Sequence, residues 1–310
     1  KRVRVMNNNY KKLSVILPTF NSGGKVSNTL KSLAEQVLDR PYAYEVLVID
    51  NNSSDDTKAV VENFMKIYPG IFVYHFQPKQ GRGNAVNKGI EHAMGEVIAI
   101  TDDDCVIDSH WANNILDTFN SKNIDLLTGK IIAVFQEKLP KWLDPNLIHG
   151  PFCNINAGDV YFENDEKRLS FAGANMAFTK EGVAKYGNFT LLFGRGEDVV
   201  FFDRWVKGGA KFGYAPNAIV NHINYSNRVT KDYVRKWFYL AGTGQRYAIE
   251  QNRTNHQRIF LGIPFWVYNK LMLNTINMLR FYFTRPALSY FHMSKIYYCI
   301  GIFSGVWGNE

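Results

Sequence analysis

The chain has 310 residues, 46% hydrophobic and 21% charged, a balance that builds an ample folded core and excludes a disordered segment. A net charge of +8 suits nucleic acid, anionic lipid or phosphorylated substrates, yet no arginine-rich block, zinc-finger spacing or RNA-binding aromatic signature supports nucleic acid. The three cysteines, Cys105, Cys153 and Cys299, are odd in number and far apart, which excludes a disulfide framework and a cysteine metal site and fits a reducing compartment.

The first two thirds alternate strand and helix patterns. Leu13 to Thr19 reads as a buried strand, and Val26, Leu30, Leu33 and Val37 follow at helical spacing. Tyr44 to Ile49 is a second strand ending at Asp50. Asp55 or Asp56 caps a helix whose inner face carries Val60, Phe64 and Ile67, and Pro69-Gly70 stops it. Ile71 to Phe76 is a third strand. A loop from Gln77 to Gly83 leads to a helix with Val86, Ile90 and Ala93 inward. Glu96 to Thr101 is the fourth strand. This β-α-β order predicts a Rossmann-like, mostly parallel sheet flanked by helices. It lacks the Gly-x-Gly-x-x-Gly turn of dinucleotide folds.

Asp102-Asp103-Asp104 follow that fourth strand. Open α/β sheets bind ligands at the C-terminal edge of their strands. Three adjacent carboxylates repel, and a divalent cation held through oxygen relieves them while leaving positions for phosphate oxygens. Two readings stand on these residues alone: a metal-diphosphate site, or a solvated acidic loop beside a helix cap at Asp108 and Ser109.

From Leu126 to Phe178 the pattern turns irregular and strand-rich, with Phe171 to Phe178 as a buried strand. Glu197 to Lys207 reads as a helix ended by Gly208-Gly209. Two short strands are expected at Lys211–Ala215 and Ala218–Asn221. From Thr230 onward the pattern is helical. Residues 1–228 and 229–310 form the expected two parts, a catalytic domain and a helical C-terminal extension. No signal-peptide pattern is visible, and a first residue of Lys rather than Met suits a trimmed chain. No apolar run reaches the roughly 18 residues of a spanning helix, and Ile296 to Trp307 is too short.

Several motifs now fall in one order. They are Ser14-Val15-Ile16-Leu17-Pro18-Thr19-Phe20-Asn21, Val46 to Thr57 with Asp50 inside it, Gly81-Arg82-Gly83-Asn84, the aspartate run, Gly173-Ala174-Asn175, and Gly196-Glu197-Asp198. Together they resemble a family 2 glycosyltransferase of the GT-A fold, inverting and of the bacterial polysaccharide type, over roughly residues 13 to 225. The resemblance implies a base-binding role for Pro18 and Thr19, contacts from Asp50 to a uracil or ribose, and a pairing of Arg82 with base or phosphates. Asp50 as a turn cap and Arg82 as a solvated loop cation are the plain alternatives. It places Asp102 near the ribose, leaves Asp103 between, and sets Asp104 on a divalent metal, Mn²⁺ or Mg²⁺. His222 is a third ligand or a structural histidine. Gly173 and Asn175 would lie beside the donor sugar, or simply pack a tight strand. Asp198 becomes the base that takes the acceptor's proton, and Glu197 holds the acceptor; the alternative is that both acids only favour the helix start.

The implied activity is metal-dependent transfer of a sugar from a nucleotide-diphosphate donor, a UDP-sugar, to a glycan or lipid-linked acceptor. The family's processive synthases carry Gln-x-x-Arg-Trp, and neither Gln245-Arg246-Tyr247 nor Arg235-Lys236-Trp237 has that spacing, so a single-transfer enzyme is expected. A sugar-phosphate nucleotidyltransferase and a non-catalytic nucleotide-sugar-binding module are the alternatives. The irregular loops from Lys138 to Arg168 would set specificity. In the tail, aromatic residues mix with Lys270, Arg280, Arg285 and Lys295. That mixture suits an interfacial helix on an anionic leaflet, which would put the protein in the cytoplasm at the inner face of the membrane. Core packing or a homo-oligomer contact explains the same stripe.

Overall fold

A computed structural model describes residues 12–39, 44–165, 171–191, 195–251 and 258–304. Arg168 and Trp307, named above, lie outside these residues. The chain forms two compact units. The first takes 1–130, 156–188 and 204–221, and the second takes 131–155, 189–203 and 222–310.

The first unit is built on β1 (Leu13–Thr19), α1 (Val26–Ala34), β2 (Tyr44–Asp50), α2 (Thr57–Ile67), β3 (Phe72–Phe76), α3 (Arg82–His92) and β4 (Val97–Ile100). The strands β3, β2, β1 and β4 lie side by side and parallel, in that order, as the alternation of elements requires. Val15, Ile16, Leu17, Val46, Val48 and Ile98 are wholly buried. Strands covered on both faces read as unbroken apolar runs, and each such side chain contributes about 1.5–3 kcal/mol when buried.

Beyond β4 the sheet turns antiparallel. β5 (Cys105–Ile107) and α4 (Trp111–Ser121) come next in the chain, followed by β6 (Leu126–Phe135), β7 (Phe162–Glu163), β8 (Met176–Thr179), α5 (Lys180–Tyr186), α6 (Glu197–Lys207) and β9 (Phe212–Asn224). The sheet order runs on from β4 through β8, β6 and β9 to β5, with β7 also on β9. β4 and β8 pair antiparallel, Ile98 opposite Phe178.

Several expectations are corrected here. Val37 lies beyond the end of α1 and is exposed. The inner face of α2 is Thr57 and Val61, while Ile67 is exposed, so the helix is rotated from the expected register. Phe171–Phe178 is a strand only from Met176, because Gly173–Asn175 forms a single 3₁₀ turn. The two short strands after Lys211 are one strand, β9. Pro216 lies within it, between the pairing with β7 at Gly213–Tyr214 and the Ile219 carbonyl that accepts from the Asp108 N–H.

In the second unit the helices α7 (Lys231–Gln251), α8 (Phe265–Phe281) and α9 (Pro286–Ser304) pack together, with a small hairpin of β10 (Ile259–Phe260) and β11 (Ile263–Pro264). Two apolar clusters hold it. One gathers Leu143, Ile148, Phe152, Val234, Phe238 and Tyr290, and the other Ile249, Ile263, Val267, Cys299 and Ile302.

Candidate active site

Parallel strands end on one edge, and there the sheet collects Pro18 and Thr19 of β1, Asp50 of β2 and the aspartates after β4. The edge is tied by short bonds. The N–H of Asn51 donates to the Thr19 carbonyl at 2.8 Å. The Asn51 side chain donates to the carbonyls of Gln77 and Lys79 and accepts from the N–H of Gly81 at 2.8 Å. One buried asparagine therefore fixes the loop that delivers Arg82. Asp50 is buried, and its Oδ1 accepts from the Ser53 N–H at 2.9 Å and its Oδ2 from the Tyr74 hydroxyl at 2.7 Å. Burial and that bond to the Asp50 carboxylate both push the Tyr74 hydroxyl well above its usual range, so it stays a donor.

The aspartates follow Thr101, just beyond the end of β4. They form the tight link between β4 and β5, a strand the periodicity did not disclose. Asp102 is half-buried and accepts from Arg82 Nη2 at 2.8 Å and Nε at 3.3 Å, both on Oδ1. Asp103 accepts from the Phe20 N–H at 3.3 Å. Burial pushes its carboxyl up to about 6, Asp104 and Asp102 push the same way, and the hydroxyls of Ser22 and Thr19 oppose them. Asp104 is only 5% exposed, and the Cys105 thiol donates to its Oδ1 at 3.9 Å.

Gly173 packs directly on the Arg82 guanidinium, so a Cβ there would overlap Nη1 and Nη2. Asn175 is buried and committed inward. Its Oδ1 accepts from Trp111 Nε1 at 2.8 Å, and its Nδ2 donates to the carbonyls of Ala218 at 2.8 Å and Lys130 at 3.0 Å. The amide anticipated beside the sugar is a tie between strands, with both N–H groups used.

In the second unit, Glu197 and Asp198 fill the first turn of α6, where the helix dipole favours ionised carboxylates. Asp198 Oδ1 accepts from the Val199 N–H at 2.9 Å. The residues before them are held by α7. The Arg195 N–H donates to the Leu240 carbonyl at 3.3 Å, its guanidinium lies over the Trp237 ring, and Gly244 leaves room for the Arg195 carbonyl that any Cβ would strike. His222, on β9 just past Asn221, is 2% exposed, and its Nε2 faces Arg228 Nη1 at 3.2 Å. A guanidinium only donates, so Nε2 is the acceptor and a neutral ring carries its proton on Nδ1. Ligating histidines ordinarily give their second N–H to an acceptor, so His222 could bind a metal only after Arg228 left Nε2.

A family model described as "Glycosyl transferase family 2" matches residues 14–187. The chain belongs to glycosyl transferase family 2. It is a glycosyltransferase, and this sets aside the nucleotidyltransferase and non-catalytic alternatives. Glycosyltransferase AglE of Haloferax volcanii is 26% identical over 255 residues, 82% of this chain and 79% of that protein. A GalNAc(5)-diNAcBac-PP-undecaprenol β-1,3-glucosyltransferase of Campylobacter jejuni is 42% identical over 94 residues, 30% of this chain and 29% of its own. The structure of the mannosyltransferase PcManGT of Pyrobaculum calidifontis, in complex with GDP-Man and Mn²⁺, superposes with a TM-score of 0.58 at 16% identity, covering 97% of this chain and 76% of that one. That likeness shows the fold: a central sheet flanked by helices with a helical C-terminal region, the GT-A architecture. Sequence reasoning missed Tyr74 and Asn51. Tyr74 lies on β3 and Asn51 follows the end of β2, and only the register of β2 on β3, Val48 opposite Tyr74, brings the tyrosine within reach of Asp50.

Proposed function

We propose that this family 2 enzyme transfers one sugar per encounter, with inversion, from a UDP-sugar to a hydroxyl of a glycan or lipid-linked acceptor. The observation that carries the reading is the carboxylate turn Asp102–Asp104 at the C-terminal strand edge, beside buried Asp50 and with Asp102 paired to Arg82. Pro18, Thr19 and Asp50 line the base and ribose end. Asp102, oriented by Arg82, meets the ribose, and Gly173 leaves space for the guanidinium that holds it.

The donor set of the turn is all carboxylate oxygen, buried at Asp104, which fits a hard divalent ion such as Mn²⁺ or Mg²⁺. Asp104 would hold the ion, and when bound it supplies positive charge against the departing diphosphate. At the other end of the reaction the acceptor oxygen attacks the anomeric carbon as the bond to the diphosphate breaks. The diphosphate leaves with the electron pair, and Asp198 takes the acceptor's proton while Glu197 holds the acceptor.

A thermal-shift series with UDP-, GDP- and dTDP-sugars, each with and without Mn²⁺, tests the donor. A ligand that binds the folded state raises the melting temperature by mass action. The expected result is a metal-dependent rise with a UDP-sugar. A rise with a GDP-sugar alone, the nucleotide named for PcManGT, would change the donor, and no metal-dependent rise with any would refute the reading.

A further inference from the structure

We propose that the outer face of α8, with the tip of the β10–β11 hairpin, is a docking surface for an anionic lipid bilayer. Exposed residues recur along α8 at helical spacing: Phe265, Met272, Ile276 and Leu279, with Phe283 just beyond the helix. Leu279 is 64% exposed, Phe283 91% and hairpin Leu261 76%. Asn269 and Arg280 are the exposed polar residues beside this apolar row, while Asn274 turns toward α9. Asn274 Oδ1 meets His292 Nδ1 of α9 at 2.9 Å, and the Met278 carbonyl accepts from the Ser289 hydroxyl. Val267 packs inward on Ile249, Ile263, Cys299 and Ile302. A helix in water ordinarily shows a mostly polar side outward, and the outer face of α8 is mostly apolar.

The hairpin extends the same surface. Phe260 lies 6.3 Å from Phe265 and 5.8 Å from Tyr268, and the Tyr268 hydroxyl donates to the Phe260 carbonyl at 2.8 Å. Charge selects the occupant. From residue 251 to 309 the sequence holds no Asp or Glu, while Arg258, Lys270, Arg280, Arg285 and Lys295 all lie in the described part. A second copy would bring the same positive charge face to face, whereas anionic lipid neutralises it. No helix among the described residues is long and apolar enough to cross a membrane, so α8 lies in the interface plane with aromatic residues at both ends, Trp266 and Phe283.

The test is co-sedimentation of the full chain with vesicles of phosphatidylcholine containing phosphatidylglycerol, and with vesicles of phosphatidylcholine alone. We expect pelleting with the anionic vesicles only, lost in high salt. The double variant Ile276→Glu/Leu279→Glu should pellet about tenfold less, and Arg280→Glu/Arg285→Glu should also lose binding. Light scattering and donor hydrolysis on the same samples check that the variants stay folded and active. Equal recovery with neutral vesicles, or unchanged pelleting of both variants, would overturn the proposal. So would a dimer that the first variant dissociates while vesicles are ignored, since a second copy would then own the face. Binding does not rest on the transfer reading: a chain that pellets without turnover fails only that reading, and one that transfers without pelleting fails only this one.

Discussion

Arg82 Nη2 stands 2.8 Å from Asp102 Oδ1, and the backbone of Gly173 lies against the same guanidinium. The first acid of the turn is thereby held by a cation that starts α3, and the cation is held by a residue with no side chain. A planar fork matches this geometry better than an ammonium.

Gly173→Ala should displace Arg82 and swing Asp102 without unfolding the sheet. We expect transfer to fall by about 10²-fold, as small displacements of positioning groups do. Arg82→Lys should lose nearly as much, because it keeps the charge and loses the fork. Steady-state rates with circular dichroism melts check this: unchanged rates in both variants would remove Arg82 from the positioning of Asp102.

Tyr74→Phe removes the hydroxyl that fixes Asp50. Losing one hydrogen bond to a charged group costs about 1.5–3 kcal/mol. Donor affinity, measured by calorimetry, should weaken by roughly tenfold or more, and the melting temperature should fall with the lost bond. Affinity equal to wild type would mean that Asp50 does not meet the nucleotide.

Asn175→Ala should destabilise rather than inactivate. It strips two strand carbonyls and the Trp111 indole N–H of their partner in a buried site. Leaving such groups unsatisfied costs about 1–3 kcal/mol each. Urea unfolding should show a large drop in midpoint, and a change in donor affinity with full stability would contradict the structural role.

His75 gives the fold a pH dependence. Burial lowers its pKa from the ordinary 6.5, with the neighbouring His92 and Lys88 adding to the effect and Glu45 opposing it. The His75 and His92 rings lie 4.2 Å apart. A folded pKa below the unfolded value means that the unfolded chain takes the proton first, so stability falls as pH drops below 6.5. The melting temperature should decline through that window, and His75→Gln should flatten the decline. An identical slope in both proteins would assign it elsewhere.

The parallel half of the sheet was legible because β1, β2 and β4 are buried on both faces and their apolar runs are unbroken. That Pro18, Thr19, Asp50 and the aspartates gather on one edge was legible because parallel strands must end there. What could not be read was pairing across distance. Nothing in the spacing of Arg82 and Asp102 says that they meet, so Arg82 was assigned to base or phosphate. The resemblance set Asn175 beside the sugar, and only tertiary contacts show its amide bonded to Trp111, Lys130 and Ala218. Two short strands were expected where β9 runs unbroken from Phe212 to Asn224, since continuity through Pro216 depends on the partner strands beside it.

The most direct test of the account is the transfer rate of Asp198→Asn at saturating donor and acceptor, with donor affinity measured on the same protein. Loss of a general base lowers a rate by about 10²–10⁴-fold. The account predicts a loss of that size in kcat with donor affinity unchanged. Transfer within a few-fold of wild type would contradict it.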